Sequence, residues 1–99
     1  IDGSAIPEEF ALHQNYPNAF NPVTSIQFDI PEQSEVRMDI YNLMGQRVAT
    51  LVNNTLEPGF HAVKWNGTND FGKQLSSGMY IYSISANNFT SVKKLILMK

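Results

Sequence analysis

The 99-residue chain contains no cysteine. That excludes a disulfide framework, thiolate catalysis and cysteine-ligated zinc, so the fold must hold by packing and hydrogen bonding alone. Charge is sparse as well. Seven Lys and Arg against nine Asp and Glu give a formal net charge of −2, and no basic cluster is present to displace the counterions of a nucleic acid. Long apolar runs are also missing: Leu95-Ile96-Leu97-Met98 is four residues, where a membrane-spanning helix needs ~20. No stretch carries a convincing helical period, and there is no internal repeat or low-complexity segment. A chain of this length predicts one domain, because domains cluster near ~100–150 residues. Such a domain buries roughly 60–68% of its unfolded surface.

What is present begins with the string Gln14-Asn15-Tyr16-Pro17-Asn18-Ala19-Phe20-Asn21-Pro22. Each Pro fixes its own φ and pushes the preceding residue toward extended geometry, while Asn favours turns and bonds that mimic the backbone. No helix starts here. The segment reads as an entry clasp lying against a small β domain, with the rings of Tyr16 and Phe20 both expected to be buried. Residues 1–9, opening Ile1-Asp2-Gly3-Ser4 without Met, read as a linker or expression-derived residues on an excised piece, with the domain over 10–99.

Strand signals follow at about 8–14-residue spacing. Thr24 to Ile30 alternates, with Ile26, Phe28 and Ile30 on one face and Gln27 and Asp29 on the other, and Val36 to Tyr41 does the same. The polar Pro31-Glu32-Gln33-Ser34-Glu35 between them predicts a hairpin that sets Asp29 opposite Arg37 and Phe28 opposite Met38. Asn42 to Gln46, with Gly45 free to take positive φ, predicts a second hairpin into Arg47 to Val52. A loop over Asn53 to Gly59 leads to Phe60 to Trp65, where His61, Val63 and Trp65 share a side. Asn66-Gly67 closes that strand, and residues 66–78 should be ordered turns. Met79 to Ala86 and Thr90 to Met98 form the last hairpin, and Phe10 to Gln14 offers a seventh strand. This pattern predicts an all-β fold, an immunoglobulin-like antiparallel sandwich of about seven strands.

The residues Gln14-Asn15-Tyr16-Pro17-Asn18 through Phe20-Asn21-Pro22, Ile40-Tyr41-Asn42-Leu43-Met44-Gly45-Gln46, Trp65-Asn66-Gly67, Ser77-Gly78-Met79-Tyr80 and the Lys93-Lys94 tail ending at Lys99 together resemble the type A C-terminal sorting domains of type IX secretion systems. The resemblance runs from about Phe10 to Lys99 in the family's order. It implies the C-terminal tail of a larger exported protein, recognised by outer-membrane translocation machinery. It also implies removal by a cell-surface sortase that joins the N-terminal cargo domain to lipopolysaccharide. Gly78 and Tyr80 match the family's Gly-x-Tyr element; Lys93, Lys94 and Lys99 match its basic terminal element. Ala19 departs from the family, which usually has Pro there, and the freed φ loosens the clasp. These domains are similar in fold to the immunoglobulin-like domain of flagellar hook-capping proteins, which supplies the alternative of a structural spacer or assembly module.

The expected recognition set is Gly78, Tyr80, Lys93, Lys94, Leu95, Leu97 and Lys99, and the expected structural set is Tyr16, Pro17, Phe20, Pro22, Gly45, Trp65 and Gly67. The final strand carries apolar residues on both faces. Either the clasp covers it on both sides, or one face is presented to a partner; Lys93 and Lys94 equally suit guarding an edge against aggregation. Gly78 and Tyr80 have a plainer role too, freeing the backbone into a strand and filling the core. Trp65 reads as core, and His61 as a packed rim residue. The carboxylates are scattered over faces and turns with no acid–base pair, which predicts a non-enzyme with no cofactor. Oxygens among Asn66, Thr68, Asn69 and Asp70 suit turns better than calcium. A carbohydrate-binding module is a third reading, and it requires at least two of Tyr80, Tyr82, Phe20 and Phe71 to lie flat and exposed on one surface.

Overall fold

A computed structural model describes residues 6–98. The strands are β1 (Ala11–Leu12), β2 (Thr24–Ile30), β3 (Ser34–Tyr41), β4 (Arg47–Leu56), β5 (Gly59–Trp65), β6 (Gly78–Ala86) and β7 (Phe89–Leu97). They form two antiparallel sheets, a three-stranded one in the order β1-β2-β5 and a four-stranded one in the order β4-β3-β6-β7. The expected sandwich is therefore the observed one. Alternation sets its core: Ile26, Phe28 and Ile30 of β2 face Val36, Met38 and Ile40 of β3 and Tyr82, Ile84, Leu95 and Leu97 of β6 and β7, all of them buried.

The first expected hairpin does not form. β2 pairs with β1 and β5, while β3 pairs with β4 and β6, so the short link after Ile30 crosses from one sheet to the other. Two strands with equally apolar inner rows gain more by facing each other across the core than by lying side by side in one layer. Asp29 consequently stands opposite Phe60 and Ala11 and bonds His13 Nε2 at 2.9 Å. Arg37 instead bonds its own strand's Asp39 at 2.9 Å. Asn87, at the tip of the β6–β7 turn with φ +53°, donates to Ser34 Oγ at 3.2 Å and Glu32 Oε2 at 3.1 Å, which ties the crossover down.

The second hairpin forms as expected. Asn42 Oδ1 accepts from Met44 and Gln46 at 2.9 and 3.0 Å, and Gly45 takes φ +83°, a value that carries little cost only for glycine. β4 runs on through Leu56, which pairs with Ser34, so the expected loop from Asn53 shrinks to Glu57 and Pro58. The long connection after β5 is ordered by turn chemistry. Asn69 Oδ1 accepts from Phe71 and Lys73, Leu75 N donates to Gly67 O, and Asp70 docks on β4 through Asp70 N to Val48 O at 3.1 Å and Thr50 N to Asp70 Oδ1 at 2.9 Å. The expected seventh strand is reduced to Ala11–Leu12.

Candidate functional site

The entry segment runs along the free edge of β7. Phe10 stacks on Phe89 with ring centres 5.3 Å apart. Further on, Gln14 Nε2 donates to Lys94 O at 2.7 Å, and Asn18 Oδ1 accepts from Ile96 N at 2.8 Å. Phe20 then bridges the edge in parallel, its N–H on Ile96 O at 2.9 Å and its carbonyl accepting Met98 N at 2.7 Å. An edge strand otherwise offers a row of unpaired backbone groups; here the clasp occupies the C-terminal half of that row.

Two side chains anchor the clasp to the core. The hydroxyl of Tyr82, fully buried on β6, donates to His13 O at 2.7 Å and accepts from Asn15 N at 2.9 Å. Burial pushes the Tyr82 phenol up to about 12, with the bond from Asn15 acting in the opposite direction. Phe20 lies between the sheets, 5.9 Å from Trp65 between ring centres, and Trp65 meets the edge of Tyr80 at 5.7 Å. Trp65 Nε1 donates to Thr68 O and Tyr80 OH to Ser76 O, so each polar tip of the cluster is paired. Tyr16 departs from expectation. Its ring is 80% exposed, because its backbone pairs with Ser25 in both directions at 2.9 Å and Pro17 follows it, which leaves the side chain outside.

The remaining expected residues separate by face. Tyr80, Leu95 and Leu97 point into the core, so in the folded domain their side chains are not available to a partner. Gly78 opens β6 opposite Leu97 and is exposed, as is Lys94, while Lys93 lies half-buried opposite Tyr82. Gly67 takes φ +80° beneath Leu97 and Pro22. Lys99 lies outside the described residues, as do residues 1–5 of the expected linker. His61 stacks on Phe28 at 5.4 Å and bonds Glu57 O, a rim position.

The four rings of the carbohydrate reading do not form a platform. Tyr80, Tyr82 and Phe20 are buried, and only Phe71 lies outside, 94% exposed. The side-chain oxygens of Asn66, Asn69 and Asp70 each accept backbone N–H groups, the turn chemistry expected of them.

The outer face of the four-stranded sheet differs from that of the other sheet. β7 presents Val92, Lys94, Ile96 and then Met98 outward, and β6 presents Met79 and Ile81 beside them. Met79, Ile96 and Met98 are 39%, 40% and 43% exposed. The face of β2 and β5 turned to solvent carries Ser25, Gln27, Asp29 and Lys64, with Ala62 and the 64% exposed Phe60 as its apolar members. The strand is thus not covered on both sides. Sequence reasoning noticed the two-faced β7 but missed Met79 and Ile81, although the run Met79-Tyr80-Ile81-Tyr82 is apolar at both parities and carries the same signal. Asn15 and Tyr82 were missed as a pair because nothing local joins residues so far apart.

Among known proteins, the family model of the FlgD Ig-like domain matches residues 18–89. No curated protein matches the chain. Among solved structures, the chain is similar to PorZ of Porphyromonas gingivalis, described as an essential bacterial surface component of the type IX secretion system. That similarity has a TM-score of 0.58 at 16% identity, and it covers 98% of this chain but 12% of the PorZ chain. At that identity the likeness concerns the fold.

Proposed function

The chain belongs to the FlgD Ig-like domain family, and we propose that within this fold it serves as a sorting signal of the type IX secretion system, directing an attached N-terminal cargo domain to the cell surface. It acts by protein recognition, with no chemistry of its own and no cofactor. Its partners on this reading are the outer-membrane translocation and sortase machinery. The observation that carries the proposal is the outer face of β6 and β7, where exposed apolar side chains surround Lys94 on the final strand. Antiparallel sheets commonly keep polar residues on the wet face, and contiguous apolar ones there mark an interaction site. The order of motifs along the chain supports the same reading, as does a fold neighbour that itself belongs to that secretion system.

A structural spacer or assembly module is the second reading, favoured by the family's own hook-cap-like character. The two separate in one experiment. A reporter with a Sec signal peptide and this domain at its C-terminus is expressed in a type IX-competent bacterium and in its translocon mutant. Surface delivery only in the competent strain supports the sorting signal, whereas periplasmic retention of a folded fusion in both strains supports the spacer.

A further inference from the structure

The outer face of the four-stranded sheet has a charge arrangement as well as an apolar centre. By register, Lys94 of β7 pairs with Ile81 of β6, Ile81 with Tyr41 of β3, and Tyr41 with Arg47 of β4. One row across all four strands thus reads Arg47, Tyr41, Ile81, Lys94, with cations at the ends and apolar groups between. Three strand spacings of about 4.8 Å place the backbones of the two end residues roughly 14 Å apart, with a register shift between β3 and β4 falling just before the Tyr41–Arg47 pair. The row beside it is Met79 with Ile96. Arg47 and Lys94 are both exposed, and among the described residues the ion pairs are His13–Asp29 and Arg37–Asp39, neither of which engages them. Asp39 on the neighbouring row is occupied by Arg37 Nε and Thr50 Oγ1, so it does not neutralise the ends of this one.

We infer that this face docks a polypeptide segment with an apolar centre flanked by two carboxylates about 14 Å apart. Charge complementarity selects that occupant. A second copy of the same face would set Arg47 and Lys94 against cations, which costs binding energy through like-charge juxtaposition. Two cations are too few for an anionic membrane, where stable attraction takes clusters of 4–8 at about 1 kcal/mol each. The centre suits a protein partner, since Met and aromatic side chains are enriched at interface cores and methionine adapts to varied shapes. In an extended segment, acids at positions i and i+4 span about 14 Å at ~3.4 Å per residue and share a face with the apolar residue at i+2.

The inference rests on the reading of this domain as a recognition module, but its test is separate from export. The domain is labelled at its methionine methyl groups and titrated with an extended nine-residue peptide whose centre is Glu-Thr-Ile-Thr-Glu, and with the same peptide carrying Lys for Glu. Met79 and Met98 report the face, and the buried Met38 reports the fold. The expected result is a saturable shift of Met79 and Met98 with the acidic peptide only. Lys94→Glu should weaken this binding about two- to fivefold, and Lys64→Glu, on the other sheet, should leave it unchanged, with Met38 unmoved in both. The inference is overturned by no response up to millimolar peptide, or by equal response to both peptides. It is also overturned if the resonances move with domain concentration alone, indicating a second copy, or only with anionic vesicles, indicating a membrane. A reporter exported normally despite a negative titration would sink the inference and leave the sorting role standing.

Discussion

The phenolic oxygen of Tyr82 accepts a hydrogen bond from the backbone nitrogen of Asn15 at 2.9 Å, across 67 residues of sequence. The same hydroxyl donates to His13 O at 2.7 Å, so one side chain in the middle of β6 fixes the path of the entry clasp. Tyr82→Phe removes the acceptor and leaves a buried N–H unpaired, at a cost of about 1–3 kcal/mol. Urea unfolding measures it, and an unchanged midpoint would contradict the clamp.

Alkaline pH reads the same contact. Burial raises the folded phenol to about 12, above its unfolded value of ~10, so folding favours the protonated form. That contribution is fully present below pH ~10 and is lost as pH rises toward 12. The stability difference between wild type and Tyr82→Phe should therefore be constant at neutral pH and shrink between those limits. A difference that grows with pH would show the sign to be wrong.

The faces of the strands were legible in the sequence; their partners were only partly so. Ile26, Phe28 and Ile30 alternate with polar neighbours, and this places them in the core whichever strand lies alongside. Nothing local distinguishes a hairpin from a crossover after Ile30, because both keep the apolar row inward, and the choice is made by the opposing sheet. The same holds for the clasp. Pro17 and Pro22 announce an extended path, but whether Tyr16 or Phe20 turns inward depends on where the backbone bonds to Ser25 and Ile96 fall. The two-faced apolar pattern of β7 was legible too, because alternation that fails on the wet side is visible without a fold.

That crossover yields a prediction of its own. Asp29 and Arg37 belong to different sheets, so a double-mutant cycle between them should give a coupling energy near zero. The cycle between Arg37 and Asp39, joined at 2.9 Å, should give about 0.2–1 kcal/mol. Coupling of that size between Asp29 and Arg37 would restore the hairpin and refute the sheet order.

Trp65 joins Phe20 to Tyr80 at the centre of the core and is 2% exposed. Trp65→Ala should cost about 3–5 kcal/mol, read from denaturation followed by circular dichroism. An unaltered curve would contradict its placement.

Gly67 combines a backbone and a packing demand. Its φ is +80°, and an added Cβ would stand 3.1 Å from Leu97 Cδ1. Gly67→Ala should lower stability by about 1–3 kcal/mol, the cost of a left-handed residue with a side chain. A variant as stable as wild type would show that the turn can adopt another path.

The proposal that the outer face of the four-stranded sheet is what the export machinery reads is tested most directly by quantifying surface delivery of the C-terminal fusion with two matched charge reversals. Lys94→Glu lies on that face and Lys64→Glu on the opposite sheet, and both domains are first shown to unfold at the wild-type midpoint. The account predicts that delivery in a type IX-competent strain falls with Lys94→Glu and is unchanged with Lys64→Glu. Equal delivery by both variants, or equal loss, would contradict it.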